Sequence, residues 1–274
     1  MQLTESNYYS LEAGQEYVSV SQYKDFVGTE GKLGCEACAM AKIRGEIVQE
    51  KTTPLLVGSY IDSFFEGTLA EFLKENPEII SSRGATAGEL KSEYRQAQAM
   101  IDRAIKDDLF MKYMRGEVQV IMAGEIEGVS VKIKIDSTDG RRLTDLKTVE
   151  DINKGVWSPS QRRKLNFIEY WGYDIQAAVY REIYRQNTGD TLPFYIAAIS
   201  KDKTNNIPHP RLAVIEIPDF VMDDKLEEFK ANISRIADLK AGIEEPIHCG
   251  SCDYCADTED LKGVISMDSL LWEE

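Results

Sequence analysis

Two hydrophobic periods run along this chain, and the change from one to the other divides it. From Pro54 to Glu75 the apolar residues Leu55, Ile61, Phe64, Phe65, Leu69 and Phe72 recur at helical spacing, and Pro54 suits a first helical turn. Ser81 to Thr86 reads as a loop, and Ala87 to Asp108 as a second helix. Upstream, the polar, tyrosine-rich stretch 1–24 passes through Ser19-Val20-Ser21 into a helical segment from about Gln22 to Phe26. Gly28, Gly31 and Gly34 interrupt it, and another helical run begins near Cys35.

From Glu117 the period is two. The pattern predicts a strand over Glu117–Met122, a turn over Gly124–Gly128 and a strand over Val129–Asp136. Asp139-Gly140 is a two-residue hairpin signal, and Leu143–Val149 returns as the next strand, giving three adjacent antiparallel strands. An irregular segment follows, then a helix over Ile168–Gln186, strands at Phe194–Ile199 and Leu212–Ile217, and a helix over Asp219–Ala241 stopped by Gly242 and Pro246. This order predicts an α/β fold: a central mixed sheet flanked by helices. The 274 residues are expected to form one domain. Its parts are a helical region (about 1–110), a core (about 111–218) and a C-terminal helix with a cysteine lobe (about 219–274).

No apolar run reaches the 18 or more residues of a membrane span, and the first residues have neither a basic region nor an apolar segment, so a cytoplasmic location is expected. The net charge of −15 argues against coating nucleic acid through bulk electrostatics. It is compatible with an enzyme that gathers acidic metal ligands, because a bound cation reverses the local field. Such an enzyme needs a local basic approach. Arg141-Arg142 and the segment Lys154–Lys164, with Arg162, Arg163 and Lys164, offer one; a solvated charged loop is the plainer reading.

Asp-x-Lys occurs four times: Asp145/Lys147, Asp223/Lys225, Asp238/Lys240 and Asp260/Lys262. The first alone lies on a predicted strand with another acid on the neighbouring strand. With a two-residue turn, Lys134 faces Asp145 and Lys132 faces Lys147. Asp136 then stands diagonally from Asp145 on the same side, roughly 7–8 Å away. Lys147 emerges on the face of Asp145. Two carboxylates so placed can converge on one hard cation, and a neighbouring lysine can orient a water and stabilise developing charge. On spacing alone, a solvent-facing ladder of ion pairs fits as well.

Cys249, Cys252 and Cys255 form a C-x₂-C-x₂-C run, with Cys35 and Cys38 far upstream. Three close thiolates leave one position on a metal or cluster for a remote ligand, either Cys35 or Cys38. The metal is an iron–sulfur cluster or zinc, which His248 can also join. Either would tie the two chain ends together. Free buried thiols are the remaining reading.

The run Gly116–Val149, followed by Gly172-Tyr173-Asp174-Ile175-Gln176-Ala177-Ala178-Val179-Tyr180, resembles phage and prophage exonucleases of the RecE type. These are near the RecB-like and Cas4-like branches of the PD-(D/E)xK superfamily, and the resemblance covers about Ser19 to Cys255. It implies a restriction-endonuclease-like core. Asp136 and Asp145 would be ligands of Mg²⁺ or Mn²⁺, Lys147 the catalytic lysine, and Glu117 the upstream acid. Gln176 and Tyr180 would be the family's Q-x-x-x-Y helix, side by side at i,i+4. Where these families carry a metal-binding histidine on the early helix, this chain has Asp62, still a good ligand for a hard cation; His209 and His248 lie elsewhere. Cas4-like and AddB-like nucleases close their fold with an iron–sulfur staple. By that resemblance Cys35, Cys249, Cys252 and Cys255 would hold a 4Fe-4S cluster, or Zn²⁺ in its place, with Cys38 competing for the fourth position. The implied activity is exonucleolytic hydrolysis from double-stranded DNA ends, 5′ to 3′, in phage-type recombination. A single-strand annealing recombinase and a homo-oligomeric ring would be its partners. The alternatives are a Cas4-like nuclease trimming single-stranded overhangs and a non-catalytic DNA-end scaffold. Asp62 favours the scaffold, and the six retained motif residues oppose it.

Overall fold

The computed structural model describes residues 1–47, 51–258, 260, 263–264 and 266–267. The chain opens with helices α1 (Leu11–Glu16), α2 (Val20–Val27), α3 (Glu36–Ile43), α4 (Thr53–Glu66), α5 (Leu69–Glu75), α6 (Ser92–Ala104) and α7 (Asp108–Met114). Strands β1 (Glu117–Ile126), β2 (Val129–Thr138) and β3 (Leu143–Val149) follow, then a small hairpin of β4 (Val156–Ser158) and β5 (Arg163–Leu165). Helices α8 (Phe167–Trp171) and α9 (Tyr173–Thr188) lead to β6 (Phe194–Ser200), the short β7 (Lys203–Thr204) and β8 (Ile207–Pro208), and β9 (Leu212–Ile217). The chain then forms α10 (Asp219–Lys240) and α11 (Asp253–Thr258).

The main sheet runs β1-β2-β3-β6-β9. Its first three strands are antiparallel, β3 and β6 are parallel across the α8–α9 crossover, and β6 and β9 are antiparallel. The expected mixed sheet is therefore present, with apolar side chains on both faces. Leu143, Phe194, Ile196 and Ala198 pack with residues of α2, α3, α9 and α10, while Leu146, Ala197 and Ile199 pack with α4, α6 and α7. A strand buried on both faces loses the apolar–polar alternation, which is why Phe194–Ile199 reads as a continuous apolar run.

Several expected elements divide at glycines. The helix expected over Pro54–Glu75 breaks at Gly67, which caps α4 in the left-handed region at φ 82°. The helix expected from Ile168 breaks at Gly172 (φ 62°), where a Cβ would also stand 2.9 Å from Thr29 Cγ2. Helix α2 begins where Ser19 and Gln22 form a reciprocal cap. No described helix is long and apolar enough to cross a membrane.

The expected β2–β3 register is corrected. Thr138 pairs with Leu143 and Ser137 with Thr144, so the connection is the four residues Asp139–Arg142 and not Asp139-Gly140 alone. Side chains widen it. Thr138 Oγ1 donates to the Arg142 carbonyl and accepts from Gly140 N–H, and Asp139 accepts from Arg141 N–H while pairing with Arg142. Beyond Ser137 the two strands part. The freed edge of β2 is taken by the N-terminal segment: Val18 N–H donates to Ser130 O at 2.8 Å, and Lys132 N–H to Val18 O at 3.0 Å. Backbone groups left by the splayed strands thus find partners, and a cleft opens between β2 and β3.

Candidate active site

The cleft is a cavity of about 280 Å³. Asp136, Asp145 and Lys147 line it from β2 and β3, Asp62 and Glu66 from α4, Gln176 and Tyr180 from α9, and Lys24 from α2. It adjoins a wider cavity of about 660 Å³ that shares Tyr9, Asp62, Glu66 and Lys134.

Each side chain reaches the cleft for a local reason. Asp136 sits one residue past the last paired position, and its Oδ2 accepts the Leu146 N–H at 2.8 Å, replacing the missing ladder bond. Asp145 and Lys147 alternate with Leu146, so they share one face while Leu146 enters the core on the other. On α4, Asp62 and Glu66 at i,i+4 share a face, opposite the buried Leu56, Val57, Tyr60 and Ile61. Gln176 and Tyr180 do the same on α9, whose Ile175, Ala178 and Val179 are core.

Asp145 is 2% exposed, and its two oxygens are engaged differently. Oδ1 accepts from Gln176 Nε2 at 2.6 Å, whereas Oδ2 lies 2.6 Å from Lys147 Nζ without an aligned hydrogen bond. Burial alone would lower the pKa of Lys147, but the carboxylates of Asp145 and Asp136 outweigh it and push it up. Burial, with Asp145 adding like charge, holds the Asp136 carboxyl well above the usual carboxylate range. Burial also raises Asp62 to about 7, with Glu66 and Asp145 adding to the rise. Lys147 is the ammonium in contact with Asp145, and Lys24 and Lys134 also line the cleft. Carboxylates buried this close together repel one another, and a divalent cation between them would relieve that. Across the cleft, Lys147 and Lys24 flank the Tyr173 ring at 4.7 and 5.0 Å. Burial and the charge of Lys147 lower Lys24 to about 7.

The structure brings Asp62, Asp136, Asp145, Lys147, Gln176 and Tyr180 to one cavity and leaves Glu117 outside it. Glu117 is exposed, opposite Thr138 at the outer end of β1. Gln119 lines the cavity from that strand, at φ 56° and between the paired positions Val118 and Val120. Such a non-glycine left-handed residue marks a local irregularity of the kind found beside functional sites. Glu66 is the acid that sequence reasoning missed; its i,i+4 relation to Asp62 was the available signal. Of the other Asp-x-Lys tripeptides, Asp223/Lys225 and Asp238/Lys240 lie on α10. Asp260/Lys262 falls partly outside the described residues, since Lys262 is not among them.

At the far side of α3 the Sγ atoms of Cys35, Cys249, Cys252 and Cys255 lie within 4.8 Å of one another; Cys38 is not one of the four. Cys35 caps α3, accepting from Cys38 N–H, and its Sγ is 3.6 Å from that of Cys255. Glu36 fastens the C-terminal loop here by pairing with Arg235 and accepting from Ile247 N–H. Four thiolates at about 2.3 Å around one tetrahedral ion stand about 3.8 Å apart. The 3.6 and 3.8 Å separations of Cys255 from Cys35 and Cys249 match that spacing.

Paired acids and a lysine at the parting of two strands in a mixed sheet define the PD-(D/E)xK class of fold and site. Residues 19–258 match the family described as "PDDEXK-like domain of unknown function (DUF3799)", and the chain belongs to that family. A crystal structure described as a "Putative exonuclease" from Eubacterium rectale is 47% identical, with a TM-score of 0.92, covering 99% of this chain and 98% of that one. No curated protein matches the chain.

Proposed function

We propose that this protein is a metal-dependent deoxyribonuclease that hydrolyses phosphodiester bonds from the ends of duplex DNA, in the 5′ to 3′ direction, in phage-type recombination. The observation that carries the reading is the convergence of Asp62, Asp136 and Asp145 with Lys147 in one cleft. The likeness to a protein described as an exonuclease adds to it. Asp62, Asp136 and Asp145 would hold Mg²⁺ or Mn²⁺, all three being hard oxygen ligands. A divalent cation there would supply Lewis acidity toward the phosphate and a more acidic water. Lys147 holds its proton and donates it in a hydrogen bond to the attacking water or a phosphate oxygen. Gln176 fixes the Asp145 carboxylate that in turn positions Lys147. With Asp62 and Glu66 both at the cleft, the missing histidine is replaced by oxygen ligands, which favours turnover over a scaffold that only binds ends.

The test is a linear duplex labelled at one 5′ end, beside a covalently closed circle, with Mn²⁺ or with EDTA. Early release of the 5′ label from the linear DNA, an intact circle and no reaction in EDTA are expected. Cleavage of single-stranded overhangs alone would support the trimming nuclease, and no cleavage in any lane would support the scaffold.

For the cysteine site we infer one tetrahedral zinc ion, because all four sulfurs lie within 4.8 Å of one another and two of the separations, 3.6 and 3.8 Å, are those of a tetrahedral thiolate set. Its role is structural, since it joins residues 220 positions apart. Cys255→Ser is expected to remove about one equivalent of zinc per chain and lower Tm on the order of 10 °C. Metal analysis and a thermal melt read both. An iron-bearing protein absorbing near 400 nm would refute zinc.

A further inference from the structure

We infer that the β4–β5 hairpin is the grip on the sugar–phosphate backbone of the duplex beside the cleft. The inference rests on the proposed DNA-end activity and adds a surface to it. The charge pattern is the first observation. The chain has 47 acids in 274 residues, about one in six, yet Ile152 to Ile168 contains none and has four cations: Lys154, Arg162, Arg163 and Lys164. Arg163 is committed to Glu169. Lys154, Arg162 and Lys164 are exposed and enter no ion pair among the described residues. Free cations on a chain of net charge −15 cost self-attraction that the rest of the surface could satisfy; a polyanion is the complementary partner.

The second observation is how the hairpin is held. Val156 pairs with Leu165 and Trp157 with Lys164, which puts Leu165 and Ser158 inward and Trp157, 58% exposed, outward beside Lys164. Its tip is fixed by its own serines: Ser158 Oγ accepts from Gln161 N–H at 3.0 Å, and Ser160 donates to Glu30. Glu30 lies in the turn that carries Lys32 into the cleft lining. In the same turn Gly31 fits flush under Tyr170 and Trp171, since a Cβ there would stand 2.5 Å from the Tyr170 ring. The arm is therefore anchored to the rim of the cleft and presents cations and an indole outward, the residue types that hold phosphates and lie against sugars.

Arg162→Gln/Lys164→Gln tests this, because neither side chain makes an ion pair whose loss would disturb the fold. Anisotropy of a labelled 30-base-pair duplex in Ca²⁺, across a salt series, is expected to show about tenfold weaker binding. The slope of log K against log salt should fall by about 2, close to one counterion per phosphate contact. Lys74→Gln/Lys106→Gln, exposed cations of the other helical layer, should leave both unchanged. Hydrolysis of bis(p-nitrophenyl) phosphate, which has no duplex to grip, should be the same in all three proteins. An unchanged duplex affinity and slope overturns the inference, as does an equal loss in the control variant or a loss confined to single-stranded DNA. Absence of all cleavage would count against the proposed activity and leave the binding result readable.

Discussion

Asp136→Asn is expected to reduce DNA hydrolysis by about 10³-fold or more without lowering thermal stability. The two effects separate because the side chain does two things. Its Oδ2 accepts the Leu146 N–H where β2 and β3 part, and an asparagine oxygen does this equally well. Its charge is unfavourable in the metal-free protein, since burial and the proximity of Asp145 hold the carboxyl well above its ordinary range. Removing the charge therefore leaves Tm unchanged or raises it, a trade of stability for function common at catalytic clusters. A variant that loses Tm and activity together would mean that Asp136 serves the fold.

Lys147→Gln should behave in the opposite way. Cleavage is expected to fall about 10²- to 10³-fold, the loss typical of one well-placed donor. Stability of the metal-free protein should also fall, by about 3 kcal/mol, because Asp145, almost fully buried, is left without its cation. Divalent cation should restore much of that loss by replacing the missing positive charge beside Asp145. Melts of wild type and variant, with EDTA and with Mn²⁺, read the effect. A variant as stable as wild type in EDTA would show that the Asp145–Lys147 pair does not hold the cleft together.

The sequence made β3 legible to the residue, because Leu143–Val149 returns directly after the Asp139-Gly140 turn signal that ends the alternating run of β2. The triple-cysteine run and the long α10 were legible for the same reason, that their signals are local. The width of the β2–β3 turn was not, since it depends on Thr138 and Asp139 side chains bonding across the loop. That error set Asp136 diagonally from Asp145, whereas it stands one step beyond the last pair. That Gln119 and not Glu117 lines the cleft was hidden by the backbone irregularity of β1, which no residue pattern announces. Tyr8 and Tyr9 at the cleft, and Val18 on the edge of β2, are products of tertiary packing by a segment that reads only as polar and tyrosine-rich. The β4–β5 hairpin read as irregular because each strand has only three residues, too few for a period to show.

Mn²⁺ titration followed by electron paramagnetic resonance, on wild type and on Asp136→Asn, asks most directly whether the cleft acids share a divalent ion. The expected result is saturable binding at the cleft in the wild type, weakened at least tenfold in the variant. Equal Mn²⁺ affinity in the two proteins would mean that Asp136 holds no cation and would contradict the metal-dependent nuclease.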